Sequence, residues 1–300
     1  MNYIVALPLN KSLAEFMGKK GSENGITFYN RKADDNVIVV LMPTDINEKI
    51  YGLMESMLIA GQIVISTENV DRSLGEALIA ASLLDKRLII TSENDIGALL
   101  SGTSIKNFEL STREELLGKI TSHRPESRGA LRVDIDKAFN VKGIGTVALG
   151  VVTSGTVKVH DNLFNPLGKQ VNVKSIQSQD QDMDTAGIQT RVGLALKGIE
   201  SDELDKGDIL STKQIKRVKK FRAMLKTSSF AKENVENSRN YLVAIGFSHA
   251  EAKIEMSGNE ATITLARPAS MEIGDQLLVA RSAAPRIFAS GRVEELIEYS

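Results

Sequence analysis

The stretch that decides the fold runs from Asp134 to Val159. It reads Asp134-Ile135-Asp136-Lys137-Ala138-Phe139, then Gly143-Ile144-Gly145-Thr146-Val147, then Gly150, then Gly155-Thr156-Val157-Lys158-Val159. Val133 and Ile135 alternate with polar residues, and Val171, Val173 and Ile176 continue the pattern. A period of two marks strands with one buried face. The glycines at 143, 145, 150 and 155 allow tight turns and close backbone approach. Val and Leu between them suit a narrow interior. Short strands between Gly-rich turns continue as KQVNVKSIQ and RVGLALKGI to about Ser211, which spells a small barrel.

Toward the N-terminus the character changes. Tyr3 to Leu7, Val37 to Leu41, Gln62 to Ser66 and Arg87 to Thr91 are short apolar runs. Between them, Asn47 to Ile59 carries Ile50, Leu53, Met54, Met57 and Leu58 at helical spacing, and Arg72 to Leu84 carries Leu74, Ala77, Leu78 and Ala81. Strands alternating with helices predict a mostly parallel sheet covered on both faces. Thr121 to Ala130, TSHRPESRGA, reads as a linker. Toward the C-terminus, YLVAIGF, EAKIEM, EATITLA and GDQLLVAR return to strand and turn, with Gly258-Asn259 as a hairpin signal. The expected architecture is an α/β domain with a parallel sheet, residues 1–122, followed by two small β-barrels, residues 130–211 and 212–300.

Composition narrows the function. With 37 basic and 38 acidic residues, nucleic acid could be held only by a local patch. There is no cysteine, so disulfides and thiolate metal sites are excluded. The opening MNYIVALPLNKSLAEF has no basic region before its short apolar run, and no run approaches the ~18 residues of a spanning helix. His123, His160 and His249 are scattered without metal-ligand spacing, and no nucleophile–base spacing is recognisable.

The Asp134–Val159 stretch, with Val192-Gly193-Leu194-Ala195-Leu196-Lys197-Gly198-Ile199 and Gly207-Asp208-Ile209-Leu210, closely resembles the second domain of the translational GTPases. The third part is similar to the third domain of the selenocysteine-specific elongation factor and of the gamma subunit of archaeal initiation factor 2, through Leu265, Arg267-Pro268, Glu272, Gly274-Asp275, Arg281, Arg286 and Gly291. The selenocysteine factor looks closest, through Gly155 to Val159 and Ser175-Ile176-Gln177. Its additional C-terminal domain has no counterpart in these residues.

The resemblance implies a G domain at the N-terminus, and its motifs are altered. A phosphate-cradling loop needs glycines, then Lys and Ser or Thr. Here Pro8-Leu9-Asn10-Lys11-Ser12 follows the first strand, with Lys11 and Ser12 as relics or simply a helix start. Asn24-Gly25-Ile26-Thr27 resembles the end of the first switch, with Thr27 in the place of the metal-contacting Thr. Leu41-Met42-Pro43-Thr44 replaces the family's Asp-x-x-Gly, and Asp45 stands where the family has a water-orienting His. Ser92-Glu93-Asn94-Asp95 replaces the guanine-reading motif and keeps Asp95, which a turn alone would also explain.

Gln177 stands where the resemblance places a residue that hydrogen-bonds the terminal 2′-hydroxyl of aminoacyl-tRNA. Gln can both donate and accept. The bland alternative is a solvated loop residue, and Asp180 and Asp182 beside it are unfavourable to RNA. The run Lys213 to Lys232 contains Lys213, Lys216, Arg217, Lys219, Lys220, Arg222, Lys226 and Lys232 and no acid before Lys232. It is either a solvated face or an RNA-backbone contact. The expectation is an elongation-factor-like protein of translation, cytoplasmic, without GTP hydrolysis and not an enzyme. No catalytic residue, cofactor or metal is expected. Its partner would be tRNA or other RNA, with translation factors or the ribosome possible and no membrane. The alternative is a protein-interaction scaffold with no RNA ligand, and a third reading is an active GTP-binding elongation factor.

Overall fold

The computed structural model describes every residue except 34, 93–95, 127–128, 232–234, 238 and 300. Asp95 and Lys232 therefore lie outside the described residues. The first part folds as β1 (Asn2–Ala6), α1 (Lys11–Met17), β2 (Lys19–Glu23), β3 (Ile26–Ala33), β4 (Asn36–Pro43), α2 (Ile50–Ile59), β5 (Gln62–Ser66), α3 (Arg72–Leu83), β6 (Arg87–Thr91), α4 (Gly97–Leu100), β7 (Glu109–Ser111) and α5 (Leu116–Ser122). The sheet order is β2-β3-β4-β1-β5-β6-β7. From β4 to β7 the neighbours run parallel, while β2 and β3 are added antiparallel at one edge.

Pleating sends successive side chains to opposite faces. Tyr3, Val5 and Leu7 pack with Leu13 and Met17 of α1 and Leu116 and Ile120 of α5. Ile4 and Ala6 pack on the other face with Leu53, Met54 and Met57 of α2 and Leu74 and Ala77 of α3. Helix α2 starts at Ile50, the first of its apolar positions, and not at Asn47. Asp45 ties residues 45–49 into a turn, accepting from the Glu48 amide at 3.0 Å while its carbonyl takes the Lys49 amide. Asp71 caps α3 by accepting from the Leu74 amide at 2.9 Å.

The first barrel contains β8 (Arg132–Val141), β9 (Gly145–Ser154), β10 (Thr156–Lys158), β11 (Asn162–Phe164), β12 (Gln170–Ser178), β13 (Gln181–Met183), β14 (Thr185–Gly187), β15 (Thr190–Lys197) and β16 (Ile209–Ser211). Strand order β11-β16-β8-β9-β15-β12-β13 is closed by the additional pairing of β11 with β12. A register shift between Val173 and Ser175 inserts one residue. It explains why Ile176, three positions after Val173, is buried on the same side. Gly150 is required by space, because a Cβ there would lie 2.5 Å from the Asp134 carbonyl oxygen.

The second barrel is closed in the order β17-β20-β19-β18-β21-β22, with β17 (Arg217–Thr227), β18 (Tyr241–Ile245), β19 (Ser248–Ser257), β20 (Glu260–Ser270), β21 (Gln276–Ala280) and β22 (Ile287–Tyr299). Gly258-Asn259 forms a two-residue hairpin between β19 and β20, with Gly258 at φ +64°. The α2–α3 face of the sheet does not end at the domain surface. Its apolar cluster continues into Ala244, Phe247, Leu278 and Ile287 of this barrel.

Polar contacts fix the same seams. Gln189 of the first barrel accepts from the amides of Ile4 and Gly61 at 3.1 and 3.0 Å through one oxygen. Glu76 of α3, 2% exposed, accepts from the amides of Arg286 and Ile287 in the second barrel. Arg132 joins the barrels, reaching Asp275 at 2.6 Å. No helix among the described residues is long and apolar enough to cross a membrane.

Candidate functional site

The junction after β1 is built around Asn10. Its backbone lies in the left-handed region, φ 77°. Its Oδ1 accepts from the Leu13 amide at 2.9 Å and its Nδ2 donates to Ser66 Oγ at 2.9 Å. One side chain thus caps α1 and ties the β1–α1 turn to the end of β5. Lys11 points to solvent and pairs with Glu15 at 3.7 Å. Ser12 accepts from Arg113, whose guanidinium also lies 4.8 Å above the Phe16 ring. Thr27 is buried in β3 and donates to Glu23 at 3.2 Å. Lys11, Ser12 and Thr27 therefore make local contacts and do not converge on one point.

Gln177 lies on strand β12, not in a loop. It borders a cleft of about 510 Å³ between β2 and β3 of the α/β domain and the first barrel. Gly21, Ser22 and Asn30 form one wall, and Phe139, Ile144 and Arg191 form part of the other. Gln177 donates to Asp182 at 2.8 Å, so an acid counted against RNA instead orients the amide. Gln179, held at φ 52°, donates to Asn30 at 3.0 Å and closes one end.

Arg191 is the most constrained cation here. It donates to Ser22 and to Asp136, each at 3.1 Å, and its guanidinium lies 3.3 Å from the centre of the Phe28 ring. Burial pulls its pKa below the usual guanidinium range, against the opposing pull of Asp136. Its second terminal nitrogen and the free oxygen of Asp136 are both buried and have no hydrogen-bond partner among the described residues. Leaving such groups unsatisfied is costly; of the two residues, Arg191 lines the cleft and Asp136 stands behind it. Sequence reading quoted both residues as strand positions and gave neither a role. The available signal was an Arg immediately before the apolar run Val192–Leu196.

Part of the basic run is paired with acids of the protein itself. Lys213 pairs with Glu272 at 2.5 Å. Arg217 is forked onto Asp208 at 2.9 and 2.6 Å and also meets Asp205. Arg222 sits between Glu260 and Glu295, and Lys216 lies over Tyr299. Lys219 and Lys220 make no ion pair among the described residues. None of these residues lines the Gln177 cleft. The acids come from other strands, Glu260 and Glu295, and from loops, Asp205, Asp208 and Glu272, which a reading of the run alone could not bring alongside. Among the described residues there is no group of three or more His, Asp or Glu arranged to hold a metal.

Residues 145–211 match the family model for elongation factor Tu domain 2. Uncharacterized protein MJ0325 of Methanocaldococcus jannaschii is 33% identical over 291 residues, spanning 92% of this chain and 94% of that protein. The selenocysteine-specific elongation factor of the same organism is 39% identical over 127 residues, which is 41% of this chain and only 27% of that factor. Among solved structures, translation elongation factor SelB from Methanococcus maripaludis in complex with the GTP analogue GPPNHP matches with a TM-score of 0.82 at 20% identity, covering 99% of this chain and 80% of that one. At that identity the likeness speaks for the fold. These matches overturn one expectation, that the chain is not an enzyme. The elongation factors it matches belong to the translational GTPases, a class of enzymes, and altered loops by themselves do not make the chain a non-enzyme. The chain belongs to the family of translational GTPases, of the elongation factor Tu and selenocysteine-specific elongation factor type, together with MJ0325.

Proposed function

We propose that this protein works in translation, in the cytoplasm, as an elongation-factor-like protein that receives an RNA 3′ end, tRNA foremost, in the cleft beside Gln177. The observation that carries this reading is the cleft of about 510 Å³ that Gln177 and Arg191 line together between the α/β domain and the first barrel, with Arg191 held in place by Asp136 behind it. A ribose hydroxyl both donates and accepts, and Gln177 offers the same pair of capacities at the rim. Phe139 and the exposed Ile144 supply apolar surface on which an unpaired base can stack. The ribosome or other translation factors would be further partners.

A specific observation favours a second reading, a protein-interaction scaffold without RNA. Lys213, Arg217 and Arg222 of the basic run are neutralised by acids of the protein itself, which lowers the charge available for RNA backbone binding. Filter binding of total tRNA at low ionic strength separates the two. Saturable binding weakened by Arg191→Ala supports the cleft, and absence of binding at low salt leaves the scaffold.

A further inference from the structure

A second cleft, of about 580 Å³, lies along the seam between the α/β domain and the second barrel. It is unrelated to the Gln177 cleft, and no residue is common to the two. Its charged lining is Lys86, Lys106, Lys226 and Arg292 against Asp85 and Glu294, an excess of two positive charges when Lys86 is protonated. Lys86 lies in the floor, and its ammonium is held by the carbonyls of Leu58 and Ala60. The other three cations are exposed at the walls.

These three are not accounted for by the fold. Lys106 and Lys226 make no ion pair among the described residues. Arg292 has one long hydrogen bond, 3.4 Å to the Gly274 carbonyl. Helix α3 ends at this cleft, and a helix C-terminus attracts cations. Its last carbonyls, however, are already engaged. Leu83 accepts from Ser290, Ser82 from Ser104, and Ala81 from the Leu84 amide. Three cations with no ion pair among the described residues thus converge on one concavity from α/β-domain and barrel sides. Elsewhere on the same barrel, Arg217 and Arg222 are matched by acids, and Lys219 and Lys220, unpaired among the described residues, line neither cleft.

We propose that this seam cleft binds a phosphorylated small molecule through Lys106, Lys226 and Arg292. The volume lies within the range of about 300–1,000 Å³ usual for such ligands. Asn107 and Gln276 at the walls can hydrogen-bond the non-phosphate part. Because the two sides belong to different domains, such a ligand would also tighten the seam.

The test is calorimetry of the full chain with inorganic pyrophosphate as the probe, at low ionic strength. Saturable one-to-one binding is expected. The Lys106→Ala/Lys226→Ala double variant should weaken it by at least ~10-fold, the loss of one to two charge-assisted contacts. Lys253→Ala, on the wall of β19, should leave it unchanged. Arg292→Ala and Lys226→Glu, measured singly, should shift affinity the same way if the double variant fails to fold. Absence of saturable binding would overturn the proposal, as would binding indifferent to all these variants, which would place the anion elsewhere. Displacement of pyrophosphate by short RNA with an affinity that grows with RNA length would overturn it too, making the cleft part of an RNA track.

Discussion

The buried carboxylate of Glu55, on α2, and the imidazole of His249, on the second barrel, meet at 2.6 Å. Tyr51, one turn earlier on α2, stacks on the same ring at 4.0 Å and 8°. The other oxygen of Glu55 takes Lys206 of the first barrel at 2.7 Å. One fully buried side chain therefore ties the α/β domain to both barrels. Rearranging the domains would require this carboxylate to give up both partners, so α2 opposes any change in domain placement.

Glu55→Ala should destabilise the protein by ~3 kcal/mol, the lower part of the range for breaking a buried pair, because Lys206 and His249 each keep some solvent contact. His249→Ala should cost about 1 kcal/mol, near one hydrogen bond, plus the lost stacking. Urea denaturation followed by circular dichroism measures both. An unchanged midpoint in Glu55→Ala would show that the apolar seam alone holds the domains.

Lys86 gives stability a pH dependence of definite sign. Burial pushes its ammonium down from 10.5 to about 7, with Asp134 pulling the other way. Below about 7 the folded and unfolded chains both carry the proton. Between about 7 and 10.5 the unfolded chain binds more, so this group's contribution to stability rises with pH across that window. Part of the residue still reaches solvent, so the rise should be ~2–3 kcal/mol, less than the full linkage at 1.36 kcal/mol per unit. Lys86→Met should flatten it, read as denaturation midpoints from pH 6 to 10. A rise equal to the wild type's in the variant would assign the dependence to other groups.

Asn10 performs three tasks at once: a left-handed turn, a helix cap and a tie to Ser66. Asn10→Ala should lose the cap and the polar side chain whose local hydrogen bonds offset the left-handed backbone at φ 77°, at a cost of ~1–2 kcal/mol. Asn10→Gly should recover part of it, because glycine takes that conformation freely. Thermal melting of the two variants ranks them, and an Ala variant at least as stable as the Gly variant would contradict this account of the turn.

Local pattern carried much of the fold. Gln62–Ser66 and Arg87–Thr91 end where their apolar runs end, because a buried parallel strand needs apolar residues on both faces. The site was less legible, since its partners are distant in sequence. Nothing near Arg222 announces Glu295; the pairing of β17 with β22 sets them side by side. Arg191 reads as an ordinary strand residue until docking of the α/β domain places Phe28 and Ser22 against it. His249 looked partnerless because Glu55 lies on another domain.

The RNA reading makes two separable demands. Gln177 and Arg191 act by hydrogen bonding at the cleft, while Lys219 and Lys220 can act only through backbone charge. Gln177→Ala should weaken RNA binding by about five- to tenfold, the worth of ~1 kcal/mol for one hydrogen bond, and should leave the salt dependence alone. Part of that loss is offset, because the Gln177 amide must leave Asp182 to reach RNA. Lys219→Ala/Lys220→Ala should instead reduce the log–log salt slope by about 1.4 to 1.8, at 0.7 to 0.9 for each phosphate contact. Lys213→Ala should change the slope little, since Glu272 already neutralises that charge. The measurement is filter binding of total tRNA across a salt series for each variant. If Gln177→Ala and Arg191→Ala leave affinity untouched while the lysine variants abolish it, the cleft is not the binding site and the association is a charge contact on the outer wall of the second barrel.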